Sequence, residues 1–460
     1  MKKIIWRVIQ FSMLVLLLCI IIYISKVLPL INGYAAKTMC SDLFISGRTF
    51  EDIEKSELGS FPFNLASCSV NMPDSSVTAS IAGLAQRKAI FRNGLGATLI
   101  SQTTEAELKK QSFLIVIPPA VNQDSIDWPA GNRMANKIIP GIDSIQLNEV
   151  VNDAFKEPSA EQKPSTRAVV ILYQGKIIAE KYAGGFTASS KQLGWSMAKG
   201  IENALIGIMV KQGKINIELP VPVAEWKNDA RNTITMADLM HMSSGLHYAS
   251  SATGPSDLTE MLFKENNMAA FAIRAAADHP HGKIFHYADA SANLLSFIER
   301  KLIGDSEYYR FPYEKLFYKI GMNSTLLEVD ASGTFVGSSY CYATARDWAR
   351  FGLLYLNDGV WNGERILPEG WVTFTATRSA AKNEEKKGEY GALWWLNAGN
   401  DNGVLKYPHV PADCFACQGY EGQYIWVIPS KKLVVVRLAL ERGNKLDPDK
   451  FLSGIIKALP

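Results

Sequence analysis

The first thirty residues combine a basic start with a long apolar segment. Three basic residues lie within the first seven positions, and an apolar run follows from Val8 to Ile24, where Lys26 and Pro29 end it. At 1.5 Å per residue, a helix of this length comes close to crossing the hydrocarbon layer. We predict an uncleaved inner-membrane anchor over residues 1–30, with the rest of the chain facing the periplasm or the outside.

A cleaved secretory signal is the alternative. Its apolar stretch would be shorter, and its cleavage site would carry small residues in an A-x-A-like pattern. The segment Gly33-Tyr34-Ala35 matches that pattern poorly. The anchor is therefore the preferred interpretation, and secretion after cleavage stays open.

Beyond the anchor, the spacing of apolar positions changes between strand-like and helical. Hairpins are predicted at Ala168–Tyr173 with Ile177–Tyr182 and at Tyr424–Ile428 with Leu433–Leu440. Residues 220–330 lie between them and have mostly helical spacing. A sheet built from both ends of the chain, with a helical block inserted, is typical of an α/β lobe beside a helical lobe.

These patterns divide the chain after the anchor into an extension (31–142), an α/β lobe (143–220 and 330–460) and a helical lobe (221–329). Apolar residues make up 47% and charged residues 20%, with a net charge of +3. This is an ordinary globular composition, and no basic stripe with aromatic residues indicates nucleic-acid binding. The groove between the two lobes is the expected place for a small ligand.

The six cysteines fit an exported protein. Cys40 and Cys68 lie just beyond the anchor and could form a disulfide, which we leave open. Cys414 and Cys417 form a C-x-x-C pattern, but no second pair or histidine cluster completes a zinc site, and on a strand they would face opposite sides. We predict buried thiols there, and no metal or other cofactor.

Candidate chemistry begins at Ser196, which precedes Lys199 by three residues. A serine hydroxyl needs a base within reach, and positions i and i+3 share one face of a helix. Burial and the positive helix N-terminus would push Lys199 toward its neutral form. A second S-x-x-K, Ser379 to Lys382, lies in a polar stretch that indicates a solvated loop, so Ser196 is the preferred nucleophile.

Such a serine also needs a second acid or base, usually the tyrosine of a Y-x-N triplet. The literal triplet Tyr355–Asn357 follows a helical pattern and is interpreted as a helix end. Tyr287–Asp289 directly precedes a predicted helix over Ala290–Ile303 and is the better candidate. In a purely structural interpretation, Asp289 would cap that helix.

A Ser-His-Asp triad is the competing mechanism. No G-x-S-x-G elbow surrounds the serine, because Ala198 stands at the last position. His241 is interpreted as a structural hydrogen bonder, and His286, beside Tyr287, as a residue that lines the groove. We therefore favour chemistry based on lysine and tyrosine.

With these residues in view, the sequence resembles the β-lactamase-related serine hydrolases, which include class C β-lactamases, DD-peptidases, penicillin-binding proteins, esterases and 6-aminohexanoate-oligomer hydrolases. The resemblance covers about residues 165–440, and Gly33–Lys37 is more weakly similar to anchored members. The markers, in family order, are Gly184–Phe186, Trp195–Lys199, Thr233–Leu246, Tyr287–Leu295, Gly337–Ser339, Ala343–Trp348 and Gly419–Gln423. It implies an α/β (α+β) fold of the β-lactamase/transpeptidase type, an antiparallel sheet flanked by helices plus an inserted helical lobe.

The resemblance also implies roles for the site residues. Ser196 would be acylated, and Lys199 and Tyr287 would pass its proton to the leaving group. The backbone N–H groups of Ser196 and Gln423 would form the oxyanion hole. Water would then release the acyl group.

Two segments depart from the members that process β-lactams. Asp289 stands where they have asparagine, and Tyr420-Glu421-Gly422 stands where they have Lys-Thr-Gly. The groups that hold a β-lactam carboxylate are thus replaced by a phenol and an acid, which argues against an efficient β-lactamase. A substrate with a cationic end could instead meet Glu421 or Asp289.

We expect a serine hydrolase that cleaves an ester or amide bond of a small molecule or short peptide. One alternative is a β-lactamase or DD-peptidase that acts on β-lactams or peptidoglycan peptides. Another is a catalytically inactive binding protein of the same fold. The N-terminal helix makes the membrane a partner, nucleic acid is not expected, and substrate identity and oligomeric state stay open.

Overall fold

The computed structural model describes residues 2–111, 113, 116, 118–119, 122–134, 139–156, 165–251, 254–384, 388–442 and 445–460. In chain order, its helices are α1 (Lys2–Phe44), α2 (Phe50–Lys55), α3 (Glu105–Lys110), α4 (Ser144–Asp153), α5 (Ala198–Lys211), α6 (Met236–Met240), α7 (Asp257–Lys264), α8 (Met268–Arg274), α9 (Asp289–Ile303), α10 (Asp305–Tyr308), α11 (Ala345–Leu356), α12 (Trp371–Thr375) and α13 (Pro448–Lys457).

The strands, also in chain order, are β1 (Ser67–Asn71), β2 (Ser76–Ile81), β3 (Leu84–Arg92), β4 (Gly96–Ile100), β5 (Thr166–Tyr173), β6 (Lys176–Tyr182), β7 (Gln192–Leu193), β8 (Ile284–Phe285), β9 (Leu326–Leu327), β10 (Cys341–Ala343), β11 (Val360–Trp361), β12 (Glu364–Arg365), β13 (Lys382–Asn383), β14 (Glu389–Tyr390), β15 (Trp395–Leu396), β16 (Phe415–Gly419), β17 (Gln423–Ile428) and β18 (Leu433–Ala439).

A seven-stranded antiparallel sheet forms the α/β lobe, in the order β14-β15-β16-β17-β18-β5-β6. Strands β5 and β6 precede the helical block in the chain and the other five follow it, so both ends of the chain build the sheet. Every residue of β5 and β18 is buried. Both predicted hairpins are confirmed, with β17, β18 and β5 inside the sheet and β6 at its edge.

Separate apolar cores cover the two faces of the sheet. Helices α5 and α11 pack on one face, and α4 and α13 pack on the other. Cys417 belongs to the first core and Cys414 to the second, and both are buried. The prediction that these thiols face opposite sides is confirmed.

Helices α6 to α10 form the helical lobe between β7 and β9 in the chain. Within it, α9 contacts α6, α8 and α10, and it also reaches α5 of the α/β lobe. The N-terminus of α9 therefore lies beside the N-terminal part of α5. The two helices bring together groups that are ninety residues apart in sequence.

Helix α1 is much longer than the predicted anchor. It is exposed as far as Lys26, buried from Leu30 to Ser41, and continuous across Pro29 to Phe44. Lys26 and Pro29 end the apolar run but not the helix, because burial of the later turns outweighs the cost of about 3 kcal/mol for an interior proline. Of the helices in the described ranges, α1 is the one long and apolar enough to cross a membrane.

The second half of α1 is enclosed by the N-terminal extension. A small antiparallel sheet, β1-β2-β3-β4, packs against it. Asn32 Nδ2 donates to the carbonyl oxygens of Leu84 at 3.0 Å and Ala85 at 2.8 Å. Cys40 and Cys68 are free thiols in this region, so the disulfide that the sequence left open is not formed.

Candidate active site

Ser196 lies in a short 3₁₀ turn, Trp195–Met197, directly before α5. Trp195 has a φ of 47°, a left-handed conformation that costs a non-glycine residue about 1–2 kcal/mol. Packing holds this turn, because the Trp195 ring stacks on Tyr34 with centroids 6.4 Å apart and planes 7° apart. The turn places the serine at the N-terminus of α5, as the sequence predicts.

Lys199 connects the groups around the serine. Its Nζ donates to Ser196 Oγ at 3.0 Å, to Asp289 Oδ1 at 2.6 Å and to the Ser338 carbonyl oxygen at 2.9 Å. Burial lowers the pKa of Lys199, but attraction by Asp289, and then by Tyr287, outweighs it and raises the pKa overall. Our expectation of a neutral lysine is therefore wrong, because a buried carboxylate holds the ammonium form.

Tyr287 completes this group from the loop before α9. Lys199 Nζ lies 4.9 Å from the centroid of its ring, and the phenol hydrogen bonds with Lys199 and Ser196. Burial raises the pKa of Tyr287, Lys199 lowers it and Asp289 raises it, with a raised pKa as the result. The predicted residues Ser196, Lys199 and Tyr287 are thus in mutual contact.

Asp289 is the first residue of α9, and Ala288 occupies the cap position. The interpretation of Asp289 as the helix cap is therefore wrong, because its carboxylate pairs with Lys199. His286 Nε2 lies 2.5 Å from the Tyr248 carbonyl oxygen, a contact that ties the loop before Tyr287 to its neighbour.

Of the other two sequence patterns, one lies where it was expected and one does not. The second S-x-x-K is not confined to a loop, because Lys382 begins strand β13, which pairs with β8. Lys382 of the second S-x-x-K is 73% exposed in its side chain and pairs with Glu384 at 2.8 Å. Helix α11 ends at Leu356 with Asn357 as its cap, so the literal Y-x-N triplet is a helix end. Among the residues that the structure describes, no group of three or more His, Cys, Asp or Glu side chains is arranged to hold a metal ion.

Strand β16 runs along the turn that carries Ser196. A Cβ added to Gly419, the last residue of β16, would collide with the carbonyl oxygen of Gly194. Strand β15 pairs with Phe415 and Ala416 at the start of β16. The later part of this strand edge therefore faces the nucleophile.

Gln423 lies one strand further into the sheet. It pairs with Gly419 across the hairpin, and its side chain bonds to the backbone of Ala439, with Nε2 donating at 2.5 Å and Oε1 accepting at 3.1 Å. The N–H of Asn397, directly after β15, donates to the Cys414 carbonyl at 2.8 Å. Because backbone groups point alternately to the two sides of a strand, the N–H of Tyr420, six residues later, points to the same side, the edge facing Ser196. The structure therefore does not support Gln423 as an oxyanion donor and offers Tyr420 in its place.

The residues between β16 and β17 form a tight turn, with a φ of 60° at Glu421 and 86° at Gly422. Arg442 Nε donates to Glu421 Oε1 at 2.6 Å, and the Glu421 side chain is 5% exposed. Burial raises the pKa of Glu421, against the opposing effect of Arg442. Asp289 is thus paired with Lys199, and Glu421 with Arg442. The prediction that these two acids would bind a cationic substrate end is therefore not supported.

Tyr420 is 49% exposed, and its ring meets the Trp195 ring edge-on at 5.7 Å. Sequence reasoning missed the residues behind it. Arg442 also donates to Ser60 Oγ at 2.9 Å and to the Tyr34 hydroxyl oxygen at 3.3 Å. The N-terminal extension therefore supports this turn, and the one sequence signal for it was the similarity of Gly33–Lys37 to anchored relatives.

The chain is similar in sequence to known proteins. A family model described as Beta-lactamase matches residues 151–451. A 6-aminohexanoate-dimer hydrolase of Paenarthrobacter ureafaciens is 23% identical over 339 residues, which cover 66% of this chain and 83% of that protein.

Solved structures share the fold. A penicillin-binding protein homolog from Caulobacter crescentus has a TM-score of 0.54 at 15% identity, covering 68% of this chain and 96% of that one. A family VIII carboxylesterase has a TM-score of 0.55 at 13% identity, covering 70% and 98%. The predicted β-lactamase/transpeptidase-like fold is confirmed.

Proposed function

The chain is a hydrolase that belongs to the β-lactamase family, and from this premise we propose that it cleaves an ester or amide bond through an acyl-serine intermediate. The observation that carries the proposal is the position of Ser196 Oγ, 3.0 Å from the buried Lys199 Nζ at the N-terminus of α5. The nucleophile and its proton-transfer groups are thus already in hydrogen-bond contact.

The serine oxygen attacks the carbonyl carbon while its proton passes to Tyr287. Lys199 enters this step as an ammonium ion, because it is paired with the Asp289 carboxylate, and its charge stabilises the phenolate form of Tyr287 that accepts the serine proton. Tyr287 then gives the proton to the leaving group as the acyl-serine bond is completed. In the second half of the reaction, water attacks the acyl-serine and gives its proton to Tyr287. Tyr287 then returns a proton to the Ser196 oxygen as the acyl group is released.

The N–H groups of Ser196 and Tyr420 hold the negative charge that develops on the carbonyl oxygen. Loss of one such donor typically costs about 2.7–4 kcal/mol of transition-state stabilisation. The Lys-Thr-Gly side chains that hold a β-lactam carboxylate in relatives are absent from the sequence at Tyr420–Gly422. We therefore favour esters and linear amides over β-lactams as substrates.

We also propose that α1 is retained as a membrane anchor with the catalytic lobes on the extracytoplasmic side. Tyr34 is 6% exposed and Ala35 is fully buried, inside a continuous helix. Signal cleavage after Ala35 would remove Asn32 and Tyr34 from the packed extension. This burial supports retention of the helix.

A fluorophosphonate probe tests the proposed function. It should label the wild type and the matched control Ser379→Ala, and it should not label Ser196→Ala. Labelling that persists in Ser196→Ala would exclude Ser196 as the nucleophile, and failure to label any of the three would favour the binding-protein alternative. A panel of p-nitrophenyl esters, nitrocefin and 6-aminohexanoate dimer should then show ester or linear-amide turnover and little nitrocefin turnover.

A further inference from the structure

Helix α1 passes between the two lobes beside the nucleophile. Tyr34 stacks on Trp195 of the α/β lobe at 6.4 Å and meets Phe263 of the helical lobe edge-on at 5.8 Å. Trp195 immediately precedes Ser196. The helix that carries the apolar N-terminal run therefore forms part of the wall of the catalytic groove.

The distance along this helix from the apolar run to the site is short. Ile24, the last residue of the run, is exposed, and Tyr34 follows ten residues later in the same continuous helix. At 1.5 Å per residue this is about 15 Å. The polar headgroup layer of a bilayer accounts for roughly 5–8 Å of that distance.

A second loop of the site also reaches the apolar run. The Tyr23 hydroxyl lies 4.0 Å from the position that a Cβ on Gly254 would take. Tyr248, six residues earlier in the chain, contacts His286, beside Tyr287, through its carbonyl oxygen. A segment of the helical lobe close to the active site thus approaches the apolar run.

Exposed apolar side chains continue from the site toward this helix. Phe63 stacks on Tyr34 at 4.0 Å, and Tyr34 stacks in turn on Trp195. At the surface around these rings, Phe61 is 78% exposed and Leu65 is 50% exposed. We call the exposed Phe61 and Leu65 and the partly buried Phe63, together with the buried Tyr34 ring and the partly buried Trp195 ring, the apolar strip. Exposed apolar groups next to a membrane helix are typical of contact with the bilayer interface.

We propose that the substrate is an amphiphile dissolved in the bilayer, an ester or amide with a long hydrocarbon chain, which reaches Ser196 from the membrane surface along the apolar strip. This inference rests on the proposed serine hydrolase function and on the anchor. The apolar groups of the strip lower the cost of exposing a hydrocarbon chain to water between the bilayer surface and the groove. The scissile bond then reaches the groove while the chain stays in contact with apolar groups.

The test uses the full chain in phosphatidylcholine vesicles, with p-nitrophenyl butyrate in the water and p-nitrophenyl palmitate in the same vesicles. The double variant Phe61→Ser/Leu65→Ser should lower the ratio of kcat/KM for palmitate to that for butyrate about tenfold. Ile145→Ser is the matched control, because Ile145 is 74% exposed on α4, behind the sheet, and its ratio should equal that of the wild type. An unchanged ratio in the double variant would overturn the proposal.

Two further measurements keep the proposals separable. Ser196→Ala should abolish hydrolysis of both esters. If hydrolysis persists, the proposed serine hydrolase function is wrong, independently of the result for the Phe61→Ser/Leu65→Ser variant. In a Cys19→Ser/Cys68→Ser background, a polarity-sensitive dye on Phe61→Cys should shift to shorter wavelength in vesicles, while the same dye on Ile145→Cys should not. Equal spectra at the two positions would show that the strip does not meet the bilayer and would overturn the inference.

Discussion

Lys199 Nζ lies 2.6 Å from Asp289 Oδ1, at a position where relatives that process β-lactams carry asparagine. Burial lowers the pKa of Lys199, but this carboxylate outweighs it. For Tyr287, burial raises the pKa and the same carboxylate raises it further, against the effect of Lys199. Asp289 therefore makes both proton-transfer groups hold their protons more tightly, which favours activity at alkaline pH.

Asp289→Asn should move the ascending limb of the pH profile of kcat/KM to lower pH. An opposite charge in contact changes a pKa by about 1–3 units. Removing the carboxylate lowers the pKa of both Lys199 and Tyr287, so the basic form appears earlier as the pH rises. The profile is measured between pH 5 and pH 10 with a water-soluble ester.

Asp305→Asn is the control for this experiment. Asp305 is an exposed acid on the same lobe and pairs with Arg300. Its loss should leave the limb in place. If the limb also stays in place in Asp289→Asn, the carboxylate does not control the proton-transfer step.

Gly419→Ala should reduce kcat/KM about a hundredfold while the protein stays folded. The added Cβ would collide with the Gly194 carbonyl oxygen, so β16 must move away from the turn that carries Ser196. A displacement of about 1 Å in a catalytic site can cost about 10²-fold in rate. Gly184→Ala is the control, because no atom lies near its added Cβ. Wild-type activity in Gly419→Ala would mean that β16 does not position the oxyanion donor.

Arg442→Met should lower the free energy of unfolding by about 2 kcal/mol, because it leaves the buried carboxyl of Glu421 without its cation. The partial exposure of Arg442, 20% of its side chain, keeps this below the cost for a fully buried pair. The double variant Glu421→Gln/Arg442→Met should recover part of the loss, since no unpaired charge remains. Urea unfolding measures both. A double variant less stable than the single one would contradict this account of the turn.

The parts of the fold that depend on local pattern were predictable. Helix α9 begins one residue before the predicted Ala290 and ends at the predicted Ile303, and the first strand of the first hairpin begins two residues before its predicted start. The pairing of Ser196 with Lys199 was predictable for the same reason, since i, i+3 spacing on a helix determines it. Burial by parts of the chain that are distant in sequence was not predictable in this way. Such burial explains why α1 continues past Pro29.

The misses in the site share one physical origin. The charge state of Lys199 depends on Asp289, ninety residues away, and on how deeply both are buried. The direction of Glu421 depends on Arg442, and the position of Gln423 depends on the turn that places it on β17 rather than β16. Residue spacing along the chain does not predict these three properties, because each depends on which parts of the folded protein pack together.

A buried pair of carboxyl groups connects the two catalytic helices and makes stability depend on pH. Glu202 of α5 is 3% exposed, Glu299 of α9 is 2% exposed, and the two hydrogen bond with each other. Burial raises the pKa of Glu202 from 4.5 to about 8 and that of Glu299 well above its usual value. The folded protein therefore keeps protons that the unfolded chain releases.

Glu202→Gln should remove the part of this dependence that Glu202 contributes, while the buried Glu299 keeps its own part. For an acid with a raised pKa, the free energy of unfolding falls as the pH rises from about 4.5 to about 8, because the unfolded state binds fewer protons there. The variant should match the wild type near pH 4 and be more stable at pH 8 by a few kcal/mol, since one pKa unit is worth about 1.4 kcal/mol. Urea unfolding at pH 4, 6 and 8 measures the difference, with Glu218→Gln at an exposed position as control. A difference that stays constant across this range would show that Glu202 is already ionised in the folded protein.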